Sequence, residues 1–121
     1  MATSKYHSKR VITSDGVFDS KREYRRWCEL KQMEHDGKIK NLQRQVRIEL
    51  IPAIYAPDII GKRGGRKKGA LLERKATYVA DFVYTENGEK VVEDVKGLRT
   101  KDYILKRKLL LWRYGIQIKE T

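Results

Sequence analysis

One cysteine, two prolines and two histidines are all that the 121 residues contain of those types. Cys28 alone excludes an internal disulfide framework, and His7 and His35 are too few and too scattered to complete a zinc cluster with it. No apolar run approaches the roughly 18 residues that a membrane-spanning helix needs. The N-terminal MATSKYHSKR has no apolar core of the kind a secretory leader carries. The expectation is a cytoplasmic protein with no membrane partner and no small-molecule cofactor. Acidic residues are also scarce: 16 Asp and Glu face 28 Lys and Arg, a net charge of +12. A small domain this basic either meets phosphates or is simply very soluble; nucleic acid is the expected partner.

With 40% hydrophobic and 36% charged residues, the composition describes one globular domain with a heavily charged surface. Residues 1–15 are expected to be a flexible basic arm, and residues 16–121 the domain. In SKREYRRWCELKQMEHDG, Ser20 is an N-cap and Gly37 a stop, with Tyr24, Trp27, Cys28, Leu30 and Met33 on one helical stripe. RQVRIELIP (44–52) alternates as a half-buried strand. PDIIGKRGGRKKGA (57–70) is expected to be a mobile, basic, glycine-rich loop. ATYVADFVY (76–84) is a strand, and Asn87-Gly88 a hairpin turn into VVEDVKG. TKDYILKRKLLLWRYG is a helix capped by Thr100 or Asp102 and ended by Gly115, and IQIKE is a last short strand. Trp27, Tyr103 and Trp112 are expected in the core. The order is α-β-β-β-α-β, a single α/β domain with a mixed sheet flanked by helices. Its last strand–helix–strand unit should be a right-handed parallel crossover.

The run VVEDVKGL (91–98) places Glu93, Asp94 and Lys96 inside an apolar strand. With a period of two, Asp94 and Lys96 share one face. On the partner strand Val79, Asp81 and Val83 share a face opposite Ala80, Phe82 and Tyr84. If Asp81 and Asp94 meet, two carboxylates and a lysine converge among valines, an arrangement that is unfavourable unless a cation sits between them. Oxygen donors with open positions suit Mg²⁺ or Mn²⁺.

This pattern resembles the PD-(D/E)xK nuclease superfamily, in which an Asp on one strand and a D/E-x-K on the next form the metal site. The resemblance implies a restriction-endonuclease-like core, with Asp81 and Asp94 as metal ligands and Lys96 beside the attacking water. It also implies the Val95 carbonyl as a further ligand and Glu23, on the preceding helix, as a fourth element. Ser20-x-x-Glu23 is equally a capping box. Pro57-Asp58 with Glu73-Arg74-Lys75 spells the motif more literally, but Lys75 leads into more strand, whereas Lys96 leads into the required helix. Ala80 stands where the family usually has proline. FDSKRE, YVADF and EDVKG are most similar to phage endonuclease I-type Holliday-junction resolvases and small phage recombination nucleases. That similarity implies a homodimeric Mg²⁺-dependent endodeoxyribonuclease acting on branched DNA, a phage protein in a bacterial host. The alternatives are a nicking or restriction-like nuclease on ordinary duplex and a non-catalytic nucleic-acid-binding protein.

Lys62, Arg63, Arg66, Lys67 and Lys68 crowd the glycine-rich loop and are the candidate DNA-binding residues; lysines and glycines of this kind grip phosphates rather than read bases. Lys101, Lys106, Arg107 and Lys108, with Lys5, Lys9 and Arg10, add charge. Tyr6 and Tyr55 are candidates for stacking on unpaired bases.

Overall fold

Ser20 opens the first helix. Its Oγ accepts the Glu23 N–H at 3.1 Å, satisfying one of the donors that a helix start leaves without a partner. From there α1 (Lys21–His35) runs to Asp36 and Gly37, where Gly37 adopts a left-handed φ of 78°. The second helix, α2 (Lys101–Tyr114), is built the same way. Thr100 Oγ1 accepts the Tyr103 N–H at 3.1 Å, and Gly115 closes the helix at φ 68° with its N–H on the Leu111 carbonyl. The computed structural model describes residues 9–96 and 98–121, so Lys5 and Tyr6 lie outside the described residues.

Ten strands complete the described residues. β1 (Val11–Thr13) and β2 (Gly16–Phe18) form a hairpin, so the arm expected to reach residue 15 gives way to paired backbone at Val11. Asp15 sits at its tip and ties it to α1, accepting from Trp27 Nε1 at 3.1 Å. β3 (Lys40–Ile51), β8 (Ala76–Glu86), β9 (Glu89–Asp94) and β10 (Lys119–Glu120) form the main sheet in the order β10-β9-β8-β3. β3, β8 and β9 are antiparallel neighbours, and β10 joins β9 in parallel across α2, as the strand–helix–strand unit requires. Asn87 and Gly88 turn β8 into β9 with φ of 52° and 78°, the doubly left-handed turn that matches strand twist. The protein is thus a small α/β domain with a mixed sheet and two helices.

Residues 57–70 are not a structureless loop. β4 (Ile54–Tyr55) pairs with β7 (Leu71–Glu73), and beyond them β5 (Ile59–Ile60) pairs with β6 (Arg66–Lys67). The glycines make this possible by closing on the backbone itself. Gly61 N–H reaches the Gly65 carbonyl at 2.7 Å, and a side chain at Gly69 would collide with the Ala56 carbonyl. These four strands pair with one another and not with the main sheet.

Each face of the main sheet carries one helix. Tyr78, Ala80, Val83 and Val92 pack with Tyr103 and Leu110 of α2. Phe82 and Tyr84 pack with Leu30 of α1 and Ile39, and Trp27 stacks on Phe82 with ring centres 6.0 Å apart. Two expectations for the helices fail. Cys28 is exposed, and Trp112 is 82% exposed, because α2 turns its Tyr103–Leu110 side to the sheet and Trp112 away from it.

Glu93 is fully buried, yet it is compensated. Arg26 of α1 grips it with two bonds, Nε to Oε2 at 2.6 Å and Nη2 to Oε1 at 3.0 Å, and the Tyr84 hydroxyl adds a third at 2.6 Å. Burial alone would push the Glu93 carboxyl up; the Arg26 guanidinium and the Tyr84 hydroxyl outweigh it and hold it below its ordinary 4.5. The stabilisation is therefore present above the ordinary glutamate range and lost as pH falls through the lower folded value. Arg26→Met should cost about 3–5 kcal/mol in urea unfolding, because it strands a buried charge. Adding Glu93→Leu should restore most of that loss. Additive single-variant costs would contradict the pairing.

Candidate active site

β3 and β8 lose their two-residue alternation at the same level. In a regular strand Tyr78, Ala80, Phe82 and Tyr84 would share one face. Here the first two pack on the α2 side and the last two on the α1 side, so the face changes hands across Asp81. On β3, Val46 and Ile48 pack on the α2 side but Leu42 on the α1 side. Between them Gln45 takes a left-handed φ of 53°, a conformation uncommon for any residue but glycine. The flanking pairs Arg44–Phe82 and Val46–Ala80 put Gln45 opposite Asp81. The expectation that Val79, Asp81 and Val83 share a face with unbroken alternation is therefore corrected: the left-handed step at Gln45 and its counterpart at Asp81 rotate both strands together.

The break lets side chains from five elements meet. Asp81 Oδ2 accepts the Val95 N–H at 2.8 Å, just past the end of β9, and Asp81 Oδ1 faces Gln45 Nε2 at 3.5 Å. The same Gln45 nitrogen donates to Glu23 Oε1 at 3.0 Å. Asp94 is 1% exposed and accepts from the Tyr78 hydroxyl at 2.5 Å. Lys96 Nζ lies 3.1 Å from Asp94 Oδ2 and 4.2 Å from the centre of the Tyr103 ring, which steers the lysine from beneath. Of the candidates, the structure brings Asp81, Asp94 and Lys96 together directly and joins Glu23 through Gln45. Val95 contributes its N–H to Asp81.

Glu23 serves the helix start and also faces the site through Gln45. Its N–H caps onto Ser20, and its Oε2 accepts the Asp19 N–H at 3.3 Å, so it completes the helix start. Its other oxygen points to the Gln45 amide and hence to Asp81. Burial, then the neighbouring Asp19 carboxylate, raises its pKa, with the Asp19 N–H and Arg44 opposing and Asp94 adding to the rise. The Asp81 carboxyl is pushed up to about 9, first by burial, then by Asp94 and Glu23, with the Val95 N–H opposing. Two carboxyl groups this close ionise together only with compensation, so the pair holds a proton more readily than a lone carboxyl does.

No three His, Cys, Asp or Glu side chains form a ready cage among the described residues. The donor set present is two convergent carboxyls, Asp94 paired with Lys96 and Tyr78 and Asp81 with no cationic partner among the described residues, with a third held one amide away. That set fits a hard divalent cation, since Mg²⁺ takes one or two protein carboxylates and completes its shell with water and phosphate oxygens.

The literal motif is not assembled. Asp58 and Glu73 are exposed on the basic arm that β4–β7 form, which is separate from the N-terminal arm, and Asp58 accepts from the Gly69 N–H at 3.3 Å. Lys62, Arg63, Arg66, Lys67 and Lys68 are exposed at the arm's end, and none of them bonds to a site residue. Lys68 covers the Tyr55 ring at 3.9 Å, which occupies the face expected to stack on a base. On α2, Lys106 and Arg107 already have acidic partners in Asp102 and Glu120. Three contributors are not apparent from motif spacing: Gln45, Tyr78 and Tyr103. Tyr78 is within reach of the sequence, because its spacing from Ala80 marks it as inward-facing. Gln45 is not, since only the strand register reveals it.

A family model described as "Protein of unknown function (DUF1064)" matches residues 3–121, and the chain belongs to that family. No curated protein and no solved structure matches it. The chain has no described helix long and apolar enough to cross a membrane.

The raised Asp81 carboxyl has a direct thermodynamic consequence. Folding favours its protonated form, so the contribution is full below the ordinary aspartate value of 3.8 and is lost as pH rises toward about 9. In EDTA, thermal unfolding of the unmodified chain should lose stability between pH 5 and 9 relative to Asp81→Asn, on the order of 1 kcal/mol per pH unit at most. Parallel pH profiles would show that Asp81 is not strained in this way.

Proposed function

We propose that this member of a family of unknown function is a divalent-metal-dependent nuclease with a restriction-endonuclease-like core, hydrolysing phosphodiester bonds in DNA. The observation that carries this is the convergence of Asp81 and Asp94 with Lys96 at a break shared by two strands. A site of three ionisable groups with an unusually raised carboxyl is costly to the fold, and such costs accumulate where chemistry is done.

In this proposal Asp81 and Asp94 hold Mg²⁺ or Mn²⁺, and Glu23 and the Val95 carbonyl are the candidates for its remaining positions. A divalent ion bound there would polarise a phosphodiester and lower the pKa of a water. The chain's own part is preparation. Val95 N–H and Gln45 orient the Asp81 carboxyl, and Tyr78 fixes Asp94. Lys96, positioned over Tyr103, presents its ammonium where an attacking water or the developing negative charge would lie.

The basic arm supports a nucleic-acid substrate. Lys62, Arg63, Arg66, Lys67 and Lys68 stand on a backbone ladder clear of the main sheet, suited to reaching along a phosphate backbone. Branched-DNA selectivity and a homodimer that cuts two strands belong to the same proposal and rest on the similarity of FDSKRE, YVADF and EDVKG to the junction resolvases. A non-catalytic binding protein would keep the basic arm and would have no need of the acidic convergence.

Incubation of the protein with a four-way junction, a linear duplex and a single strand, in Mg²⁺, Mn²⁺ or EDTA, separates these. Metal-dependent cleavage should appear, be strongest on the junction and vanish with Asp94→Asn. Lys96→Met should lower the rate by about 10²–10³-fold, the range for losing one charge-stabilising donor. Cleavage retained by Asp94→Asn, or absent from every substrate, would overturn the proposal.

A further inference from the structure

Beside the acidic cluster lies an open cavity of about 400 Å³, whose α1 wall carries Arg22, Arg25 and Arg26 and whose opposite wall carries Lys119. Val95, which donates its N–H to Asp81, forms the shared border between cavity and cluster. Arg22 Nη1 reaches the Lys96 carbonyl at 3.4 Å, so the two sites touch through two consecutive residues.

The cations here are not balanced. Arg26 is engaged with Glu93 and, at 3.0 Å, with Glu29, the cavity's one acidic side chain among the described residues. Among those same residues, Arg25 and Lys119 have neither a salt bridge nor a side-chain hydrogen bond, and Arg22 bonds only to a carbonyl. Four basic side chains thus line one concave space against a single acidic one, Glu29, so the space favours an anion. Arginine guanidinium groups match phosphate oxygens in pairs, and three of these four are arginines on a capped helix rather than on a projecting arm.

We infer that this cavity is a phosphate subsite: it binds a backbone phosphate of the nucleic-acid strand next to the one placed at Asp81 and Asp94. It fixes the register of the strand, whereas the basic arm supplies reach. This inference rests on the nucleic-acid part of the proposed function and not on catalysis.

The test uses the full chain carrying Asp94→Asn, in EDTA, with a fluorescein-labelled four-way junction and a labelled linear duplex titrated at a series of KCl concentrations. R25Q/K119Q should weaken binding and reduce the slope of log affinity against log salt by about 0.9 for each phosphate that is no longer neutralised. K38Q/K40Q, which removes the same charge near the Asn87–Gly88 turn at the other end of the sheet, should change the slope less. R25Q alone should show the same trend, and thermal melts establish whether each variant is folded. Equal slopes for R25Q/K119Q and K38Q/K40Q would overturn the subsite, as would no binding to either DNA. A wild-type chain that binds but never cleaves would count against the nuclease and leave this comparison intact.

Discussion

The constraint on which the structure turns is that two carboxyl groups, Asp81 and Asp94, stand together in a poorly hydrated place. Like charges there repel, and burial penalises each separately. The fold accepts this by rotating two strands in step at Gln45 and Asp81, and by placing the end of β9 so that Val95 and Lys96 complete the cluster. A residue with no special role would not keep a left-handed glutamine in mid-strand, where such a backbone costs about 1–3 kcal/mol.

Glu93 and Asp94 show two solutions to one problem. They are consecutive, both buried, and point to opposite faces of the same strand. Glu93 meets a bidentate arginine and two hydroxyls, and its charge is fully answered inside the protein. Asp94 meets a tyrosine and a lysine, while Asp81 adds a second acid beside it. The charges in this strand are therefore not alike: one joins helix to sheet, and the other shares its surroundings with a second acid. An ion between Asp94 and Asp81 would complete the second arrangement as Arg26 completes the first.

Local chemistry made much of this legible. Ser20, Thr100, Gly115 and Asn87-Gly88 each act through their nearest neighbours, so the helix ends and the hairpin turn followed from a few residues. The meeting of Asp81 with Asp94 also followed from two adjacent strands. Its geometry did not, because the rule of alternating faces assumes regular backbone, and Gln45 breaks it. The glycine-rich segment misled for a related reason. Glycines that look like freedom in a sequence here permit backbone to close on backbone, as at Gly61 and Gly69. Trp112 misled because helical spacing gives a stripe but not which side of it the sheet takes.

The most direct measurement is calorimetric titration of the folded chain with Mn²⁺ at pH 7 in two buffers of different ionisation enthalpy. The account predicts binding accompanied by proton release, as the ion displaces the proton held by the pair, and loss of that binding in both Asp81→Asn and Asp94→Asn. Binding that is indifferent to both substitutions, or no binding at all, would contradict it.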